Sequence, residues 1–373
     1  MNLQEIREGL DAVDRQMAEL FAQRMKLCAQ AARVKAESGK AVYDGVREQE
    51  TLKSLEDAAE DDFAKRDLEE LFSQIMTMSR RMQYRLVGDK GENTGFCPVE
   101  AIEKKGARVA YQGVEGSYGH GAALQYFGEE ARLYHVPAME DAMVEVEEGR
   151  ADYGVLPIEN SSAGAVSNNY DLLVRHKVYI VAEIRLPVRH ALLGLPGASL
   201  ADIRRVYSHP QALAQSARYL NAHREWSQVS VENTAWAAKM VSGDGDIGQA
   251  AVAGETAGRI YGLKTLACPI NFDKNNTTRF IVLSGSPIYR RGAGKVSICF
   301  ECAHRSGSLY NMLGHLIYNH INMLMIESRP IEGRSWEYRF FVDMEGSLGE
   351  PGMRNALAGI RAEAAAFRVL GNY

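Results

Sequence analysis

One arginine interrupts an apolar stripe near the amino terminus of the chain. The stripe advances by alternating steps of four and three and consists of Ile6, Leu10, Val13, Met17, Leu20, Arg24, Leu27, Ala31 and Val34. This spacing is typical of the face with which one helix packs against others. Because an unpaired buried guanidinium is strongly destabilising, Arg24 predicts an acidic ligand inside a helical bundle. On this residue alone, an ion pair with a carboxylate or a side chain that reaches water stays an open alternative.

A second helix, expected at about 67–86, has a similar exception. Its stripe is polar at Ser79, and Gln83 lies just beside the stripe. On the first helix, Lys35 follows Arg24 by eleven residues, which places the two on nearly one face about 16 Å apart, close enough to bracket one small molecule. Arg7 precedes Arg24 by roughly 25 Å of helix and is turned by about 100°. If Arg7 binds the same anion, another chain must supply it.

Length and composition set outer bounds on the function. A chain of 373 residues with 46% apolar and 24% charged residues is typical of a globular protein of two or three domains. The net charge of −5 argues against a general nucleic-acid binder. The amino terminus does not resemble a signal sequence, and no run approaches the ~20 apolar residues of a membrane span. We therefore expect a cytoplasmic protein that binds neither nucleic acid nor membrane.

The cysteines and glycines predict no metal or cofactor. Five scattered cysteines fit a reducing compartment better than a disulfide framework. Cys299 and Cys302 form a C-x-x-C, but their odd separation in a strand-like run directs them to opposite faces, and no second pair completes a zinc site. No strand-linked G-x-G-x-x-G is present for a nicotinamide cofactor. A dehydrogenase is therefore not expected.

Charged residues between the two helices make the first resemblance specific. Eight residues match, in order and spacing, the site of the all-helical chorismate mutases, which are intertwined dimers: Arg7, Arg24, Lys35, Asp44, Arg47, Glu48, Ser79 and Gln83. The resemblance implies that the arginines hold the two carboxylates of chorismate. It also implies that Lys35 and Gln83 address the ether oxygen and that Glu48 addresses the ring hydroxyl. Such a pericyclic rearrangement needs positioning and electrostatic stabilisation rather than a nucleophile.

From about residue 108 onward, strand-like and helix-like segments alternate, as in an α/β fold. Three strands lead into polar, glycine-containing or serine-containing loops, with the sequences GVEGSYGH at 113–120, ENSSAG at 159–164 and SHPQ at 208–211. Each loop alone is better explained as a capped helix start. Together they favour the rim of a ligand cleft.

A fourth polar segment leads to a second resemblance. The triplet Thr278, Arg279 and Phe280, together with the three loops, resembles prephenate dehydratases over residues 107–285. The resemblance implies two α/β lobes around a cleft, as in periplasmic binding proteins, with Thr278 as the catalytic hydroxyl. The substrate would be held by Ser117, Asn160, Ser161, Ser208, His209 and Gln215, with Arg279 as a candidate partner for a carboxylate. Whether Thr278, a water or His209 delivers the proton stays open, and His209 can equally be structural.

The carboxy-terminal segment alternates in the order βαββαβ. Two of its motifs resemble the phenylalanine-binding motifs of ACT regulatory domains: Gly307, Ser308 and Leu309, and then Glu327, Ser328, Arg329 and Pro330. The family often has alanine in place of Ser308. The resemblance implies inhibition by phenylalanine, and a purely structural dimerisation module is the alternative.

We therefore expect an all-α mutase domain at 1–88, a linker at 89–106, an α/β dehydratase domain at 107–285 and an α+β ACT domain at 295–373. The expected protein is a homodimer or higher homo-oligomer that converts chorismate through prephenate to phenylpyruvate without metal or cofactor. The alternatives are a monofunctional dehydratase with a helical dimerisation domain, and an amino-acid-binding sensor without turnover.

Overall fold

A computed structural model describes residues 2–56, 62–87 and 94–373. The chain divides into two compact units. The first unit comprises Met1–Thr94 with Ile298–Val369, and the second comprises Gly95–Ser297 with Leu370–Tyr373. Within the described ranges, no helix is both long enough and apolar enough to cross a bilayer.

The first unit begins with three helices: α1 (Leu3–Ser38), α2 (Gly45–Glu56) and α3 (Asp62–Val87). Helix α1 starts at a capping box, in which the Asn2 side chain and the Glu5 carboxylate satisfy each other's backbone N–H groups. It ends at Gly39, whose φ of 66° is the left-handed conformation that glycine adopts readily. Helix α3 begins a few residues before the predicted start at 67.

The apolar stripe of α1 is exposed along most of its length. Leu10, Leu20, Leu27 and Val34 are 58%, 63%, 64% and 63% exposed, whereas Ala32 is fully buried. Helix α1 packs on α3 within the chain. The rest of its apolar face is therefore available for a further helical partner.

The second unit contains two larger sheets with their own hydrophobic cores and one two-stranded sheet. Its strands are β1 (Cys97–Val99), β2 (Arg108–Gln112), β3 (Arg132–Val136), β4 (Tyr153–Asn160), β5 (Gly164–Ala165), β6 (Tyr179–Pro187), β7 (Ala191–Gly194), β8 (Arg205–Ser208), β9 (Ser227–Ser230), β10 (Gln249–Ala253), β11 (Lys264–Ala267), β12 (Thr277–Ser284) and β13 (Ile288–Arg290). Its helices are α4 (Tyr118–Phe127), α5 (Met139–Glu147), α6 (Ser167–Arg175), α7 (Pro210–Gln215), α8 (Ala217–Leu220), α9 (Thr234–Asp244) and α10 (Glu255–Ile260).

The two sheets define two α/β lobes. One lobe has the strand order β6-β12-β4-β2-β3, and the other has β11-β7-β10-β8-β9. Strand β12 lies between β4 and β6 and is antiparallel to both. The ladder includes the polar residues Asn160 of β4 and Thr278 of β12, which lie opposite each other.

The predicted linker is too long at its carboxy-terminal end. Residues 95–106 belong to the second unit, where Cys97–Val99 pairs in parallel with Ile288–Arg290. Ile102 is buried in the core of the first lobe. This three-residue strand is too short to produce an alternating pattern, which explains why the composition alone resembled a linker. Residues 88–93 lie outside the described ranges.

The carboxy-terminal elements follow the expected βαββαβ order: β14 (Lys295–Glu301), α11 (Ser308–Tyr318), β15 (Met323–Ile331), β16 (Arg334–Glu345), α12 (Pro351–Glu363) and β17 (Ala366–Asn372). Their strands are arranged as β15-β16-β14-β17. Within the first unit, helices α11 and α12 both contact α3.

Candidate functional site

The structure brings the two polar exceptions of the helical stripes together. The half-buried Arg24 donates from Nη1 to the Ser79 hydroxyl, and the same nitrogen lies 3.7 Å from the Cys28 sulfur. Ser79 in turn donates to the Ile75 carbonyl at 2.7 Å, so its oxygen is available as an acceptor. Among the described residues, no carboxylate pairs with Arg24. The guanidinium therefore keeps its positive charge available for an anion.

The other candidates of this site are distributed along α1 and around the start of α2. Lys35 donates to the Val42 carbonyl at 2.6 Å, which ties the end of α1 to the segment before α2. Asp44 accepts from the backbone N–H of Arg47 at 3.1 Å, while the Arg47 side chain is exposed and pairs with Glu50. Arg7 is also exposed, on the first turns of α1.

Two buried polar residues of α3 differ in their hydrogen bonding. Gln83 is buried, and its Oε1 has no hydrogen-bond partner among the described residues. Arg80 donates from Nη1 to both carboxylate oxygens of Glu48, at 2.6 and 2.5 Å. Sequence reasoning did not identify Arg80, because it lies beside the apolar stripe. The paired arginines in the sequence SRR at 79–81 were the only sequence signal.

The second unit contains a cavity of about 620 Å³. It is lined by polar residues from several strand ends and helix starts, among them Gln112, Ser117, Asn160, His190, His209, Gln211, Gln215, Asn233 and Thr278. Five of the eight predicted dehydratase residues line this cavity: Ser117, Asn160, His209, Gln215 and Thr278. Ser117 also caps α4 by accepting from the His120 N–H at 3.2 Å.

Thr278 and Asn160 are opposite residues in the β12–β4 ladder. The Asn160 amide nitrogen donates to Thr278 Oγ1 at 2.9 Å and to Asn276 Oδ1 at 2.7 Å. Its amide oxygen accepts from the backbone N–H groups of Ser162 and Ala163, which fixes the orientation of the amide. Thr278 therefore accepts a hydrogen bond, and its own hydrogen has no acceptor among the described residues. That hydrogen can be donated to a ligand in the cavity.

Three predicted substrate ligands do not line this cavity. Ser208 is fully buried and donates to the Val252 carbonyl at 2.5 Å, and Ser161 accepts from the Thr277 N–H at 2.9 Å. Arg279 lies 3.2 Å from Glu159 and 3.4 Å from Glu183. Because side chains alternate along a strand, Arg279 is directed to the opposite face from Thr278. The structure therefore does not place these three side chains in the cavity, contrary to the prediction that they hold the substrate.

His190 is a cavity residue that the sequence reasoning missed. Its Nε2 lies 3.0 Å from Gln215 Oε1, and its Nδ1 lies 3.0 Å from the Tyr118 hydroxyl. Burial lowers the pKa of His190 despite the hydrogen bond to Gln215, so the ring is neutral near pH 7. The sequence signal was the one used for the loops, since His190 also follows a strand end. Burial likewise lowers the pKa of His209, whose Nδ1 accepts from the Gln211 N–H at 3.2 Å.

The two carboxy-terminal motifs lie in different elements. Gly307 has a φ of 76° and precedes α11, and Ser308 begins that helix. Ser308 is buried, and its hydroxyl has no hydrogen-bond partner among the described residues. Glu327, Ser328, Arg329 and Pro330 form part of strand β15, paired with β16.

Two protein families match separate parts of this chain. Residues 6–84 match the family Chorismate mutase type II, and residues 109–287 match the family Prephenate dehydratase. A bifunctional chorismate mutase/prephenate dehydratase from Aquifex aeolicus (strain VF5) is 34% identical over 379 residues, covering 100% of this chain and 97% of the relative. The match thus includes both regions and the carboxy-terminal segment.

Two solved structures are each similar to about 70% of the chain. Prephenate dehydratase from Arthrobacter aurescens, solved in complex with L-Phe, has a TM-score of 0.66 and 28% identity, and the match covers 71% of this chain and 89% of that one. GqqA, described as a quorum quenching acylase, has a TM-score of 0.63 and 32% identity, with 70% of this chain and 96% of that one covered.

Proposed function

The chain belongs to the family of bifunctional chorismate mutase/prephenate dehydratases, and on this premise we propose which residues carry out each of its two reactions. The enzyme converts chorismate to prephenate by a pericyclic rearrangement and prephenate to phenylpyruvate by dehydration with decarboxylation.

The mutase reaction is assigned to the helices at the amino terminus. Arg24, with Arg47 and a second chain's Arg7, binds the carboxylates of chorismate. Lys35 and Gln83 donate hydrogen bonds to the ether oxygen, whose C–O bond breaks in the rearrangement. Glu48 accepts a hydrogen bond from the ring hydroxyl. Ser79 positions Arg24, and Asp44 positions Arg47. The supporting observations are the Arg24–Ser79 contact and the buried Gln83 amide. Catalysis follows because charge that develops on the ether oxygen is met by preorganised donors.

The dehydratase reaction is assigned to the cavity around Thr278. Prephenate loses its ring carboxylate as carbon dioxide, the electron pair of that bond enters the ring, and the ring hydroxyl leaves. Because Asn160 makes Thr278 Oγ1 an acceptor, the Thr278 hydrogen is available to the departing hydroxyl. This hydrogen bond is the observation that carries the assignment. Ser117, Asn160, His209 and Gln215 hold the substrate, and we add His190 as the group that orients Gln215.

A homodimer or a higher homo-oligomer is proposed from the helical region. The exposed stripe on α1 offers an apolar face to a second copy, and Arg7 lies roughly 25 Å along the helix from Arg24. A shared site explains both features. The cytoplasm stays the predicted compartment, and its support is the odd, scattered set of cysteines.

Inhibition by phenylalanine is proposed for the carboxy-terminal elements, which we assign to the ACT type. Support comes from the βαββαβ order, from the motifs at 307–309 and 327–330, and from the L-Phe complex of the Arthrobacter aurescens relative. The alternative, a structural dimerisation module, predicts no response to phenylalanine.

Chorismate and prephenate turnover separate these proposals from the remaining alternatives. Purified protein given prephenate forms phenylpyruvate, and phenylalanine slows that reaction. A monofunctional dehydratase leaves chorismate unchanged under the same conditions. A sensor without turnover binds phenylalanine and converts neither substrate.

A further inference from the structure

A buried ionic cluster in the first unit connects the helical region with the carboxy-terminal elements. Arg80 on α3 lies between two carboxylates: its Nη1 is 2.5 Å from Glu48 of α2, and its Nε is 2.9 Å from Glu363 of α12. The side chains of Arg80, Glu363 and Glu48 are 7%, 8% and 23% exposed. The arginine thus joins two segments that are more than 300 positions apart in sequence.

The cluster continues into the carboxy-terminal elements. His315 of α11 lies 3.1 Å from Glu363 through Nε2, and the Arg80 guanidinium also donates to Thr77 at 3.0 Å. Burial alone would raise the pKa of Glu363, but the hydrogen bond from His315 and the charge of Arg80 outweigh burial and lower that pKa. Glu363 is therefore ionised at neutral pH and holds the guanidinium from the side opposite Glu48.

Helix α3 exposes two functional faces to two different neighbours. Ser79 contacts α1 through Arg24, whereas the next residue, Arg80, contacts Glu48 and Glu363. One turn after Arg80, the Tyr84 ring also faces the carboxy-terminal elements and packs edge to face on His315, with 6.0 Å between the ring centroids. Successive residues of a helix differ by about 100°, which explains how one helix serves both neighbours.

We propose that Arg80 is a positioning residue of the mutase reaction: it holds the Glu48 carboxylate in place and is itself held by Glu363 and His315. This inference rests on the proposed role of Glu48. The carboxylate is partly exposed, so it keeps an open edge for the ring hydroxyl of chorismate. Without Arg80, the flexible Glu48 side chain can adopt other rotamers. The conformational entropy lost when it is ordered then adds to the activation free energy of the reaction.

The expected effect is specific to one of the two activities. A hydrogen bond to a charged group contributes enough that Arg80→Met should lower mutase kcat/KM by about 10- to 100-fold. Arg80→Lys keeps the charge and should recover part of this loss. Glu363→Gln removes the negative charge that pairs with Arg80 opposite Glu48, and it should lower mutase kcat/KM by about threefold to tenfold.

The test is a double-mutant cycle in the full-length enzyme. Arg80→Met is compared with wild type and, separately, in a Glu48→Gln background, with chorismate loss as the readout. Prephenate turnover and the thermal unfolding midpoint report on folding, and Arg85→Met, at an exposed position of the same helix, is the matched control. If Arg80 acts through Glu48, its substitution has little further effect once Glu48 is glutamine.

Each outcome has a defined meaning. Equal losses in both backgrounds, or unchanged mutase activity in Arg80→Met and Glu363→Gln, overturn the inference while Glu48 keeps its assigned role. Full mutase activity in Glu48→Gln removes the proposed function of Glu48 and the inference with it. If Arg80→Met does not fold, Arg80→Lys and Glu363→Gln in the two backgrounds provide the same comparison.

Discussion

Asn160 donates a hydrogen bond of 2.9 Å to the hydroxyl of Thr278, its direct partner across two antiparallel strands. The amide cannot be reversed, because its oxygen already accepts from two backbone N–H groups. The pair therefore sets the direction of the Thr278 hydroxyl before any substrate binds. A preorganised donor of this kind stabilises charge on a leaving group without reorganisation during the reaction.

Thr278→Val should remove dehydratase activity while keeping the shape of the side chain. The loss of one preorganised donor lowers kcat by about 10²- to 10³-fold. Phenylpyruvate formation from prephenate measures this loss, and chorismate consumption should stay unchanged. Thr277→Val is the matched control on the same strand, because the Thr277 hydroxyl donates to the Asn275 carbonyl instead. Similar losses in both variants would count against the role of Thr278.

Asn160→Asp should lower dehydratase kcat more than it changes KM. The substitution replaces the donor at Thr278 by a carboxylate oxygen, which competes for the Thr278 hydrogen. We expect a loss of about 10- to 100-fold in kcat. Steady-state kinetics with prephenate provide the measurement, and the thermal unfolding midpoint checks folding. A fall in affinity alone, with kcat unchanged, would reduce Asn160 to a binding residue.

From the sequence, the contact between Arg24 and Ser79 was easier to predict than the direction in which a side chain leaves its strand. The stripes containing Arg24 and Ser79 placed both on packing faces, and the structure joins them. Arg279 was misjudged because a strand extending through Thr277–Ser284 directs neighbouring residues to opposite faces. The ion pair of Arg80 with Glu363 could not be predicted from the sequence, since the two residues are distant along the chain and no local pattern encodes that contact.

Dehydratase stability should decrease in acid. Burial lowers the pKa values of His190, His120 and His209, so these rings are neutral in the folded protein while the unfolded chain binds protons below about pH 6.5. Above that pH, these histidines should therefore cause no change in the free energy of unfolding with pH. Below that pH, the free energy of unfolding should fall by up to ~1.4 kcal/mol per pH unit for each histidine.

His190→Gln measures the share of one histidine in this dependence. Denaturant unfolding at pH 7.5 and 5.5 should give a smaller pH difference for the variant than for wild type. His135→Gln, at an exposed position, is the control that should retain the full difference. An unchanged pH difference in His190→Gln would remove His190 from the account of acid sensitivity.

Mutase activity should be restored by mixing two inactive variants. If Arg7 comes from a second chain, a heterodimer of Arg7→Ala and Arg24→Ala contains one intact site. Random mixing after denaturation and refolding then yields about one quarter of wild-type activity, since half of the dimers are mixed and half of their sites are intact.

The matched control uses two residues that meet within one chain. Arg24 contacts Ser79, so a mixture of Arg24→Ala and Ser79→Ala should contain no intact site and show no recovery. Recovery in this control, or none in the Arg7 mixture, would contradict the proposed shared site.

The central claim is that one chain carries both reactions at separate sites. The most direct measurement gives chorismate alone to wild type and to Thr278→Val, and follows chorismate, prephenate and phenylpyruvate separately. The account predicts phenylpyruvate from wild type, and prephenate that accumulates at an unchanged rate of chorismate loss in the variant. Phenylpyruvate formation by the variant at the wild-type rate, or chorismate left unchanged by wild type, would contradict it.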